Sequence, residues 1–241
     1  ALCQVPSTWE VLLPAWSFLW TISVWDYYER TGDRELLEAM FPYMMQNIEG
    51  AASYSDARGL FSAPFWNMFD WSGIDDGHKT VLHNSMLAVG ATRAASRCAE
   101  VLGREEKAQW IADYRDRLIA GCNALWNDET GSYPDSVHDD GTVSEQTCMH
   151  TNFLALLYDI VPEEHRAQAL ENVLAPPEGM TQVGSPFAIM YMFEALEKAG
   201  HPDAILETIY KHYVPMLEAG ATTVWESFPS GTTGRGGFPT R

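Results

Sequence analysis

Basic residues are scarce in this chain. Only 15 Lys and Arg stand against 33 Asp and Glu, giving a formal net charge of −18 and a pI near 4.6. Polyanions would be repelled, so nucleic acid and anionic membrane are disfavoured as partners, and the acidity reads as a solubility device. Cysteine is sparse as well. Cys3, Cys98, Cys122 and Cys148 form no CxxC pair and have no His at zinc-like spacing. Three of them fall in apolar helical patterns, where a free thiol behaves as a small hydrophobe, so the redox compartment stays open. No run approaches the ~18 apolar residues of a membrane span. The opening "ALCQVPSTWEVLLPAW" lacks the basic start of a signal peptide and reads as the middle of something longer.

Several catalytic signatures are also missing. Ser72 and Ser185 lie in no G-x-S-x-G elbow, which argues against a serine hydrolase. The stretch "GTTGRGG", 231–237, follows no strand and opens no helix, so it reads as a flexible tail rather than a phosphate loop. His78, His83, His138 and His150 make no HExxH or HxH pattern and read as hydrogen-bonded structural histidines. Asp75 with Asp76, and Asp135 with Asp139 and Asp140, lack the spacing of an EF-hand loop and read as solvated acidic loops. No metal and no cofactor are expected.

What the chain does have is helical periodicity. Residues 12–30, 80–102, 147–160 and 186–199 are apolar nearly all round, the pattern of helices buried on most sides. Residues 33–53, 104–126, 163–174 and 203–217 are one-sided, with Asp33 as N-cap of the first. The two kinds alternate, giving about eight helices in four pairs, each pair roughly 50 residues from the last. A solenoid has no reason to keep one helix of each pair so apolar. An inner and an outer ring explain the asymmetry, so an all-α fold of the α/α-toroid type is predicted, one helical domain over 1–241. At 27.0 kDa such a chain buries roughly 70% of its unfolded surface and needs no covalent staples.

The links sharpen the prediction. "TGD", "LGRE", "VPEE" and "AGHPD" join inner to outer helices and are short. The outer-to-inner links, 54–79, 127–146, 175–185 and 218 onward, are long. Helices that alternate in direction bring all the long links to one end, where function usually sits. The first carries Trp66, Asn67, Asp70 and Trp71 in "FWNMFDWSG", and the last carries Trp225 and Glu226 in "GATTVWESF". Carboxylates beside indoles suit a carbohydrate, whose C–H face packs on an aromatic ring while a pair of acids cleaves the glycosidic bond. The plainer alternatives, aromatics that plug the end of the fold and an exposed acid after a helix, stay open at this point.

These residues resemble a family. The segment "MTQVGSPFAIMYMFEALEKAGHPDAILETIYKHYVPMLEAGATTVWESF", together with "EQTCMHTNFLALLYDIVPEEHRAQAL", "FWNMFDWSGID" and "WDYYERTGDRELLEAMFPYM", is similar to the C-terminal portion of the catalytic (α/α)6 barrel of bacterial α-L-rhamnosidases, glycoside hydrolase family 78. The resemblance implies an inverting glycosidase with Glu226 as general base. It also implies a sugar-contacting loop at Asp70 and Trp71, a pocket lined by Trp225, and a rhamnose-containing glycoside as partner. The family's general acid belongs to an Arg-Asp-Glu motif followed by Trp-x-Gly-Asp, which this chain lacks, and the family's His-containing stretch would begin beyond Arg241. A six-hairpin barrel needs about twelve helices against the roughly eight found here. A fragment truncated at both ends is therefore expected: an incomplete barrel, inactive alone and prone to self-association through exposed inner surface. Two other readings remain open, a non-catalytic carbohydrate-binding or scaffold module and an α/α-toroid glycosidase for another sugar.

Overall fold

A computed structural model describes Thr8 and residues 11–228. Cys3, the other opening residues and the "GTTGRGG" stretch lie outside the described residues. Eight helices occur among those described, and they divide between two compact units. The first unit takes residues up to 68, 76–125 and 136–143; the second takes 69–75, 126–135 and 144 onward.

In the first unit, α1 (Pro14–Thr31) and α2 (Arg34–Ala52) form a hairpin, as do α3 (Leu82–Val101) and α4 (Glu105–Asn123). Pro14 opens α1, where its missing N–H costs nothing, and Gly32 closes it in the left-handed region at φ 68°, its amide donating to the Tyr28 carbonyl. Asp33 then caps α2 by accepting the Leu36 amide at 3.0 Å. Nearly every side chain of α3 is buried, whereas α4 buries one stripe, Ile111, Tyr114, Leu118, Gly121 and Cys122. That contrast is the inner–outer asymmetry expected from the pattern.

Helix α1 departs from expectation. It buries Ala15, Phe18, Thr21 and Val24 against α2 and α3, but Tyr27 is 45% exposed and Trp16, Trp20 and Trp25 are only half-buried. An apolar pattern reports which surfaces need covering. Among the described residues, only one side of α1 receives that cover.

The second unit repeats the scheme with α5 (Met149–Leu157), α6 (Glu163–Leu174), α7 (Ile189–Lys198) and α8 (Pro202–Glu218). Helix α5 is the central one, packed on both α6 and α7, and all its side chains except Leu157 are buried. It is shorter than the apolar run that encodes it. Thr147 and Cys148 are extended instead, bridging to Pro134 and Thr181. A short antiparallel pair, β1 (Thr80–Val81) with β2 (Ser136–Val137), in the first unit was likewise not legible as alternation, since each strand has two residues.

Cys98, Cys122 and Cys148 are free and buried. Burial pushes the Cys98 and Cys122 thiols up to about 12, so both act as apolar filler rather than nucleophiles. No helix among the described residues is long and apolar enough to cross a membrane.

Candidate active site

Segments from three of the long links meet in the second unit around one small residue, Gly184, in the connection between α6 and α7. Its amide donates to Asp70 Oδ2 at 2.7 Å, and its carbonyl accepts the Phe228 amide at 2.8 Å. A Cβ at this position would overlap the Trp71 carbonyl, so only glycine lets the two backbones lie this close. Thus "FDW" from the first long link and "WESF" from the last, far apart in sequence, are both secured to the same residue.

Asp70 is the buried centre of this arrangement. Its carboxylate accepts His150 Nε2–H at 2.7 Å and the Gly184 amide on Oδ2, and the Ser185 hydroxyl on Oδ1. The side chains of Asp70 and His150 are both fully buried. Three donors compensate the desolvation of the carboxylate, the condition under which a buried acid is tolerated. Around the pair lies a ring of aromatics: Phe69 packs edge-on to His150 and to Phe187, and His150 faces Phe153.

A second buried acid lies close by in the same unit. Asp135 is fully buried and accepts the Asp75 amide at 3.0 Å; Asp75 in turn accepts the Ser144 hydroxyl at 2.7 Å. Burial raises the Asp135 pKa, against the opposing pull of the Asp75 amide, the Cys148 thiol and His150. The expectation of solvated acidic loops is therefore corrected for Asp135, which is a buried loop staple. It holds for Asp139 and Asp140, which are exposed in the first unit. Their pKa values are lowered, chiefly by the backbone amides of Lys79 and Thr142 respectively.

The residues expected to touch sugar fall into two groups. Trp71 is 44% exposed, Trp225 is half-buried and Glu226 is exposed, while the next two residues, Ser227 and Phe228, are buried and hold the segment. Phe228 packs against His212 and Tyr213 of α8. Trp66 is also exposed, in the first unit. Asp70 and Asn67, by contrast, are turned inward. Asn67 donates to the carbonyls of Ala63 and His78 and accepts from Asn84, and its backbone carbonyl meets His83. Its polar capacity serves the first loop rather than solvent.

Gly184, Ser185 and His150 escaped the sequence reading as parts of this arrangement. The only hint was the small dipeptide "GS" at 184–185 before an apolar helix, a common helix-entry pattern that carries no chemistry by itself.

Comparison with known proteins agrees with the helical-hairpin fold. Residues 2–237 match the family model of the bacterial alpha-L-rhamnosidase six-hairpin glycosidase domain. An alpha-L-rhamnosidase of Formosa agariphila is 25% identical over 93% of this chain and 24% of its own length. The crystal structure of a GH78 family rhamnosidase of Bacillus sp. GL1 superposes with a TM-score of 0.91 at 33% identity, over 96% of this chain and 24% of that one. A rhamnosidase from Klebsiella oxytoca with rhamnose bound gives 0.76 at 20% identity, covering 90% of this chain and 41% of the other, a likeness of fold alone. The chain thus spans about a quarter of the length of the first two relatives. Its all-α fold of paired helices, the α/α-toroid class expected from the sequence, is theirs too, and the chain belongs to the family of bacterial α-L-rhamnosidase six-hairpin glycosidase domains.

Proposed function

We propose that this domain is part of an inverting glycoside hydrolase acting on terminal α-L-rhamnosides, with Glu226 as the general base that activates water. One observation carries the assignment within the chain. Of the two acids on the joined "FDW" and "WESF" segments, Asp70 is buried with both oxygens engaged, whereas Glu226 is exposed beside Trp225. A general base must reach water and substrate, and only Glu226 is free to do so. Trp225 and Trp71 supply aromatic surface on which the apolar face of a deoxy sugar packs.

Inversion calls for a second carboxyl group roughly 6.5–9.5 Å across the scissile bond, which protonates the departing oxygen. In this proposal that acid comes from outside these 241 residues, so the chain holds the water-activating half of the pair. The names of the Formosa agariphila relative and of the Bacillus sp. GL1 rhamnosidase support the choice of sugar.

The test is kinetic, on the full-length enzyme that carries this domain, with an aryl α-L-rhamnoside. Glu226→Gln is expected to lower kcat by about 10²–10⁴-fold with a smaller change in KM. Proton NMR of the first-formed sugar is expected to show the inverted anomer. Undiminished turnover in Glu226→Gln, or a product of retained configuration, would overturn the assignment.

A further inference from the structure

The Trp71 and Trp225–Glu226 segments are both linked, through Gly184, to one buried acid. Asp70 does not face solvent: its carboxylate is fully buried, with donors from His150 at the start of α5 and from Gly184 and Ser185 ahead of α7. Gly184 then passes that placement on in two directions. Its carbonyl holds the Phe228 amide, two residues beyond Glu226, and its Cα lies directly under the Trp71 carbonyl. The chain of contacts runs from Asp70 through Gly184 to Phe228, with every link a hydrogen bond.

We propose that Asp70 is a positioning residue: its buried carboxylate orients Gly184, and through it the Trp225–Glu226 segment and the Trp71 loop, so that the general base and its aromatic surface are set by one acid. This rests on the assignment of Glu226 as base and adds the device that aims it. The donor set is matched to an acceptor with two oxygens. Three N–H and O–H groups converge on two oxygens, and an amide at this position would present its NH₂ to at least one of them. Removing one donor loosens the hold on the buried carboxylate, because the remaining donors alone must compensate its desolvation. Catalytic geometry is sensitive on this scale: a misplacement of about 1 Å costs on the order of 10²-fold in rate.

The experiment uses the full-length enzyme and two readouts. Hydrogen exchange follows the peptides covering 180–188 and 222–228, and steady-state kinetics follows an aryl α-L-rhamnoside. Asp70→Asn is expected to speed exchange at the Gly184 and Phe228 amides about tenfold and to lower kcat by about 10²-fold. Ser185→Ala, a milder change that keeps the fold if Asp70→Asn does not, is expected to move both readouts in the same direction by about tenfold in kcat. In the Glu226→Gln background, neither substitution is expected to lower kcat further, because the group being aimed is already gone. Unchanged exchange at 222–228 in both variants overturns the inference, as does altered exchange with undiminished kcat. So do losses that multiply undiminished in the Glu226→Gln background, the mark of general structural damage. A wild-type enzyme with no rhamnosidase activity would refute the assignment of function instead, and the exchange data would still decide whether Asp70 holds the segment.

Discussion

The Phe228 amide and the Gly184 carbonyl, 2.8 Å apart, tie the last long link of the chain to the connection ahead of α7. Through this bond an exposed acid two residues away, Glu226, acquires a fixed anchor. The same glycine accommodates the Trp71 carbonyl at a distance no side chain would allow. A position with no side chain is therefore the meeting point of the two segments that carry the candidate chemistry.

Gly184→Ala puts a methyl group where the Trp71 carbonyl lies, so one backbone must move. The expected cost is about 1–3 kcal/mol, the range for overpacking a tight interior, read as a lower midpoint in urea. Any shift of Gly184 also displaces its bonds to Asp70 and Phe228, so aryl rhamnoside turnover by the full-length enzyme should fall with stability. A variant as stable and active as wild type would show that the loop has room to spare.

The loop 127–135 depends on a ladder of buried amides. Asn152 on α5 donates to Ser132 Oγ and the Cys148 carbonyl, each at 2.9 Å, and accepts from Asn172 on α6, which also donates to the Gly131 carbonyl. Asn152→Leu keeps the volume and deletes the partners, costing about 1–3 kcal/mol for each polar group left unsatisfied. Equilibrium unfolding monitored by tryptophan fluorescence checks this. A change below about half a kcal/mol would mean water replaces the amide.

The raised pKa of buried Asp135 makes stability depend on pH with a definite sign. Below the unfolded value near 3.8 the group is protonated in both states, and its contribution is fully present. As pH rises through the higher folded pKa, the buried acid must ionise and that contribution is lost. Relative to Asp135→Asn, wild type should lose stability over this window and run parallel above it. Urea titrations of both proteins from about pH 4 to about pH 8 measure the difference. Curves that stay parallel throughout would contradict the burial argument.

Helix α8 presents Leu206, Tyr210 and Leu217, 55%, 71% and 70% exposed, at spacings that place them on one stripe, and α7 adds Met190 at 59%. Apolar surface of this kind favours association. The isolated 241-residue chain is expected to self-associate, and Leu206→Glu with Leu217→Glu to shift it toward monomer. Light scattering that reports a monomer before any substitution would remove this expectation.

Much of the architecture was legible because helix formation is local. The Asp33 cap and the contrast between α3 and α4 follow from residues within a few positions of one another. The meeting of Asp70 and Trp71 with Gly184 and Phe228 within the second unit accords with the alternation of helix direction read from the sequence. The shortening of α5 was not legible, because Thr147 and Cys148 are drawn into extended pairing with Pro134 and Thr181, partners that local pattern does not reveal.

The sequence by itself determined which segments are helical, which faces are apolar and which links are long, since each depends on short-range periodicity and punctuation. Only the tertiary structure decided which acid faces solvent. In "FWNMFDWSG" and "TTVWESF" the two carboxylates look alike, each next to a tryptophan. Asp70 went inside because His150, Gly184 and Ser185 supply three donors from distant segments, and Glu226 stayed exposed while the residues after it took up the anchoring. A carboxylate can be buried only where donors converge, and convergence is a property of the folded chain.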